Sequence, residues 1–198
     1  MPLILASSSP FRKILLKRLG LAFEVVVPDI DESRKPLESP EQLAFRLAQE
    51  KASEVAKTHS GLIIASDQVA TLGNADAPDA VVLSKPHNFE NATKQLEQSS
   101  GRAVTFLTSL ALLNTNTRKM QTIIHTTTVF FKQLSAEKIA DYLQKDQPYN
   151  CAGSFKSETA AGKNLIERIE GDDPDALVGL PLIQLRKMLT TNGIAPKN

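Results

Sequence analysis

Hydrophobic and polar positions along this chain switch repeatedly between a strand-like and a helix-like pattern. Continuous apolar runs at 3–6 and 62–65 each end in polar residues, Ser7-Ser8-Ser9-Pro10 after the first and Ser66-Asp67-Gln68 after the second. Runs of this length bounded by turn residues predict buried strands with polar tips. A further strand is expected at 23–27, leading into the acidic stretch Asp29-Ile30-Asp31-Glu32. Between these runs the period becomes helical. Ser9 can cap a helix that Pro10 begins, Phe11, Ile14, Leu15 and Leu19 fall on one face, and Gly20 supplies the stop. Ser39-Pro40-Glu41-Gln42 combines a capping serine, a first-turn proline and a glutamine three residues on, and Leu43, Leu47 and Ala48 continue the period. That helix is expected to reach about residue 57.

The second half adds antiparallel signals. Residues 72–80, LGNADAPDA, read as a surface loop before a short strand at 81–83 and a Lys85-Pro86 turn. A helix over 89–98 ends at Ser100-Gly101. Segments 103–113 and 120–131, rich in Val, Ile, Thr and Phe, flank Asn114-Thr115-Asn116-Thr117 and predict a long hairpin. A helix over 135–145, a turn-rich loop at 151–158, a strand at 165–169 and a last helix from Pro181 complete the pattern. The chain is therefore expected to be α/β with a mixed sheet, and with no repeat or linker it reads as one domain over 1–198.

Composition narrows the partners. With 41% hydrophobic and 23% charged residues in 198, a disordered or membrane-spanning chain is excluded. Lys and Arg number 23 against 22 Asp and Glu, a net charge of +1, so no overall field would hold nucleic acid or an anionic membrane. The single Cys151 cannot form an internal disulfide, and His59, His87 and His125 lack structural zinc spacing. The apolar run at the start is too short for a signal segment or a span. These features together read as a cytoplasmic protein.

Several residues carry candidate chemistry. Arg12 and Lys13 lie in the first turn of the first helix, where the macrodipole disfavours cations. A phosphate held by the serine loop would offset this, because backbone N–H groups, hydroxyls and a guanidinium would converge on it; the alternative is a solvated basic face continuing to Lys17 and Arg18. Asp67, directly after an apolar strand, reads either as a general base or metal ligand bordering a crevice, or as a turn residue. Glu32 either shares a divalent cation with Asp67 or is solvated. Lys51 and Lys85, taken singly, read as surface lysines. Cys151 has no activating histidine in a motif and reads as a small buried residue. His125 reads as an ordinary strand residue.

Taken together, LASSSPFRKILL (5–16), DIDES (29–33), LAQEKA (47–52), IIASDQV (63–69), SKP (84–86), SGRAVTFLTSLAL (100–112), CAGSFKSE (151–158) and IEGDDPDALVGLPL (169–182) resemble the Maf family of nucleoside triphosphate pyrophosphatases. The matches run in family order over nearly the whole chain. The resemblance implies a two-lobed α/β fold similar to the inosine triphosphatase group, with a central mixed sheet and a cleft between the lobes. It also implies hydrolysis between the α and β phosphates with a divalent cation, Mg or Mn. By position, Asp67 resembles the general base and a metal ligand, and Glu32 the second metal or substrate ligand. Ser7, Arg12, Lys51 and Lys85 resemble the triphosphate-binding set.

Phe11, Gln68 and Glu158 are similar to the branch acting on 7-methyl-GTP. An aromatic face and a carboxylate would both favour a cationic methylated base, although Phe11 also fits a core position beside Ile14 and Leu15. Similar proteins suggest a homodimer. Two departures are Ser84, where the family usually has glycine, and the longer 72–80 loop. Competing readings are a dTTP or UTP pyrophosphatase of the same family and a nucleotide-sensing regulator of cell division without significant turnover.

Overall fold

Strand β1 (Leu3–Ala6) is buried at all four positions because it lies between two parallel neighbours, β2 (Glu24–Val26) and β3 (Leu62–Leu72). A strand covered on both faces and both edges has no solvent side, which is why its sequence is a continuous apolar run. This arrangement comes from a computed structural model, which describes residues 1–196. On its other edge β3 pairs antiparallel with β5 (Ala103–Asn114), followed by β6 (Lys119–Phe131) and β7 (Ile166–Glu170). The short β4 (Val81–Leu83) also pairs antiparallel with β3, completing a mixed seven-stranded sheet.

The two faces of the sheet are covered by different helices. Leu3, Leu5, Leu62, Ile64, Leu110 and Leu112 pack with α1 (Pro10–Lys17) and α7 (Leu182–Thr191). The alternate residues Ile4, Ala6, Ile63, Ala65 and Ala111 pack on α2 (Pro40–Ala56) through Ala48, Ala52 and Val55. Farther along the same long strands Ala70, Leu72, Phe106 and Val129 form a second core with α3 (Phe89–Ser99) and α4 (Ala136–Asp146). Two cores toward opposite ends of β3 and β5 give two lobes on one sheet. Two short helices, α5 (Ala160–Leu165) and α6 (Pro174–Val178), connect the remaining elements. No helix among the described residues is long and apolar enough to cross a membrane.

The structure departs from the sequence expectation in three places. The strand expected to stop at 65 runs on to Leu72, because its polar residues 66–68 remain paired to β5. In α1 the buried residues are Leu15 and Leu16, with Leu19 buried just beyond the helix end, whereas Ile14 is 61% exposed. The turn-rich loop expected at 151–158 is present and includes a 3-10 turn at Ala152–Ser154. Neither α5 nor α6 was expected, since helices this short barely develop a period.

Candidate active site

A gap in the sheet creates the site. β1 pairs with β3 only as far as Ala65, and β4 joins the same edge only from Ala70. Residues 66–69 therefore have β5 on one side and no strand on the other. β1 runs toward this gap alongside β3, and β4 runs toward it from the opposite end. Each strand delivers the loop that follows it to the opening: Ser7 and Arg12 after β1, Lys85 after β4. Glu32 arrives on the segment after β2. The result is a cleft of about 800 Å³. All nine residues drawn from the sequence as site candidates line it.

Its centre is a lysine between two carboxylates. Lys51 Nζ lies 2.5 Å from Asp67 Oδ1 and 2.7 Å from Glu32 Oε1. Lys51 is 5% exposed and Asp67 7%. Neither is a surface or turn residue: Lys51 stands on the α2 face that packs the sheet, and Asp67 points toward it from the middle of β3. Burial of ions this complete requires pairing. The backbone of Asp67 is fixed by Ser109, whose Oγ accepts from the Asp67 N–H at 3.1 Å and donates to its carbonyl at 3.2 Å.

Burial raises the Glu32 pKa, but the Lys51 hydrogen bond and the charges of Lys51, Lys85 and Arg12 outweigh it and hold the carboxyl below its ordinary value. Burial lowers the Arg12 pKa, opposed by Asp67 and Glu32. Those carboxylates supply the compensation that a cation in the first turn of α1 requires. Arg12 Nε donates to the Gly179 carbonyl at 2.8 Å, and a terminal nitrogen lies 3.4 Å from Ser7 Oγ.

The segment carrying Glu32 has no regular structure, and Arg46 of α2 holds it in place. The guanidinium bonds both Glu38 oxygens at 2.6 and 2.9 Å, Glu50 at 2.8 Å and the Ser33 carbonyl at 2.9 Å. Sequence reasoning missed Arg46, Glu38 and the Gly179 carbonyl. An arginine on a helix gives no sign of which carbonyl it will grip, and a backbone oxygen leaves no mark in a sequence.

Phe11 is half-buried on the cleft wall and not in the core of α1. Glu158 and Lys85 are exposed at the rim. Gln68 donates its amide to the Leu177 and Ala176 carbonyls at 2.9 and 3.2 Å, and to Thr108 Oγ1 at 3.0 Å, so its hydrogens are committed to protein groups. Cys151 is half-buried, and desolvation pushes its thiol pKa up to about 11. A thiol in that state makes a poor nucleophile at neutral pH. His125, 8% exposed on β6, is paired with Asp172 at 2.5 Å.

The donor set fits a hard divalent cation. Two carboxylates already meet one positive charge at Lys51, and such ions favour carboxylate and phosphate oxygen. No cluster of three or more His, Cys, Asp or Glu side chains forms among the described residues. A metal here would rest on Glu32 and Asp67, with phosphate oxygens and water completing its shell.

Comparison with known proteins identifies the relatives of this chain. The family described as Maf-like protein matches residues 2–192. The chain is 50% identical over 192 residues to the 7-methyl-GTP pyrophosphatase of Nitrosococcus oceani, covering 96% of this chain and 93% of that protein. It is also 50% identical over 194 residues to the protein of the same name in Methylobacillus flagellatus, covering 98% and 97%. Among solved structures, a HAM1 protein from Coxiella burnetii matches with a TM-score of 0.55 at 17% identity, covering 96% of this chain and 99% of that one. The Staphylococcus aureus Ham1 protein matches with a TM-score of 0.54 at 13% identity, covering 97% and 100%. At those identities the likeness is one of fold.

Proposed function

This chain belongs to the Maf-like protein family, and on that premise we propose that it is a pyrophosphatase that cleaves 7-methyl-GTP between its α and β phosphates. The observation that carries the reading is the convergence of Arg12, Lys51 and Lys85 from three separate elements on a cleft that also holds Glu32 and Asp67. Cations from separate elements match a triphosphate, whose charge is spread over several oxygens. The 7-methyl-GTP pyrophosphatases at 50% identity support the choice of base.

In the proposed reaction Asp67 orients a water and takes its proton as the oxygen bonds the α phosphorus. The bond from that phosphorus to the bridging oxygen breaks, and pyrophosphate leaves with the electron pair. Arg12, Lys85 and Ser7 hold the non-bridging oxygens, where charge accumulates during transfer. Lys51, already on Asp67, fixes the position of that carboxylate and lends its own charge to the phosphates. A divalent ion, Mg or Mn, held by Glu32 and Asp67 would further neutralise the phosphate oxygens.

At the base end the Phe11 ring would stack on the cationic 7-methylguanine, worth roughly 0.5 to 2 kcal/mol. Glu158 would accept from the guanine N1–H and amino group, a pairing that pyrimidines do not offer. Gln68 contributes indirectly, since its amide holds the 176–177 turn beside the cleft.

The test is turnover on a panel of 7-methyl-GTP, GTP, dTTP and UTP with product identification. We expect 7-methyl-GMP and pyrophosphate, with the methylated substrate ranked first. Asp67→Asn should lower kcat by about a hundredfold or more, the size of a lost general base. Full activity in that variant, or release of orthophosphate, would sink the assignment. A higher rate on dTTP or UTP would move the protein to the other branch, and binding without turnover would favour a nucleotide sensor.

A further inference from the structure

The turn after α6 places a backbone carbonyl where two distant side chains meet. Gly179 O accepts from Arg12 Nε at 2.8 Å and from Ser66 Oγ at 2.9 Å. With Nε occupied, the guanidinium presents its terminal nitrogens to an anion. The turn carrying this carbonyl is itself tied down. Thr108 Oγ1 donates to the Ala176 carbonyl at 2.9 Å, and Gln68, its cross-strand partner, donates to the carbonyls of Ala176 and Leu177.

A helix as short as α6 cannot hold its own shape, and its terminal carbonyls need partners. Here the partners come from the floor of the sheet. Gly179 adopts φ 126°, a conformation that L side chains rarely take and that gives this carbonyl its direction.

We propose that Ser66 and Thr108 are positioning residues for Arg12: they hold the 176–179 turn, and its Gly179 carbonyl sets the orientation of the guanidinium toward the substrate phosphates. The proposal rests on the reading of Arg12 as a phosphate ligand. A long side chain held at Nε loses its rotamer freedom when the protein folds and not when substrate binds, so the affinity of the site depends on the holder. Ser66 is fully buried, and replacing it with alanine leaves Gly179 O with its Arg12 donor. The substitution therefore creates no orphaned acceptor.

The experiment is steady-state kinetics with 7-methyl-GTP, each variant first checked by thermal melt. Ser66→Ala and Thr108→Val should each raise KM about tenfold, as expected when a hydrogen bond supporting a charged group is lost, with kcat changed much less. Thr108→Ser, which keeps the hydroxyl, should restore the parent KM; a merely structural loss of packing would not be rescued by this smaller side chain. Arg12→Lys, which has no Nε N–H, should raise KM by itself, and adding Ser66→Ala to it should change KM by less than about twofold, because the relay is already broken. Additive effects in the double variant would overturn the proposal, as would an unchanged KM in Ser66→Ala and Thr108→Val. An unchanged KM in Arg12→Lys would also overturn the relay, whereas an unchanged KM in Arg12→Ala, which removes the charge, would refute the phosphate role of Arg12 and the proposal with it. Should Ser66→Ala not fold, Thr108→Val and Thr108→Ser decide the question.

Discussion

At Glu32 two effects of opposite sign meet. Partial burial disfavours its charge, while the Lys51 ammonium at 2.7 Å and the more distant Lys85 and Arg12 favour it more strongly, so its folded pKa lies below the ordinary glutamate value. A carboxylate with a depressed folded pKa stabilises the protein above its unfolded pKa, and that contribution is lost as pH falls through the folded value. Glu32→Gln should therefore flatten the acid limb of stability, with the two proteins converging once pH has fallen below the depressed folded pKa of Glu32. Urea midpoints measured from neutral pH downward check this; parallel acid limbs would refute it. Asp67 was recognisable as a candidate from its place after an apolar run. Lys51 looked like a surface lysine, because nothing in a helical period shows that its ammonium reaches a carboxylate on β3.

Helix α2 is the element on which the site depends most. It carries Lys51 and Arg46, and so controls both the central ion pair and the grip on the segment holding Glu32. Its start is fixed by a reciprocal cap: the Gln42 N–H donates to Ser39 Oγ at 3.2 Å, and the Ser39 N–H donates to Gln42 Oε1 at 3.0 Å. Ser39→Ala should cost about 1 kcal/mol, which for a domain of this size lowers Tm by about 2–4 °C. A calorimetric melt measures it, and an unchanged Tm would show that packing against the sheet alone sets the helix start. This cap was fully legible beforehand, because it is local: four consecutive residues contain both partners. The extent of β3 was not legible, because polar residues 66–68 look like a strand end until β5 is known to run beside them.

For the whole molecule, near-neutral charge has a functional meaning. Net charge of +1 provides no long-range attraction for an extended polyanion, whereas the proposed site asks only three converging cations to meet one triphosphate. A non-hydrolysable 7-methyl-GTP analogue at a hundred times its Kd should stabilise the fold by about 2.7 kcal/mol, raising Tm by about 5–10 °C. Duplex DNA at matched phosphate concentration should leave Tm unchanged. A differential melt compares the two, and stabilisation by DNA would refute the reading of the charge distribution.

What the sequence by itself determined is what local chemistry governs: which runs are strands, where α1 and α2 begin, the mixed α/β class, and the residue types able to hold a polyphosphate. Only the tertiary structure decided that β1 and β4 stop short of each other along β3, opening the gap where these residues meet. It also decided that Lys51 is shared by Glu32 and Asp67, and that a carbonyl 167 positions away in sequence holds Arg12. The reason is physical: strand pairing and burial are properties of neighbours brought together by folding, and no period along one segment records which distant segment will lie beside it.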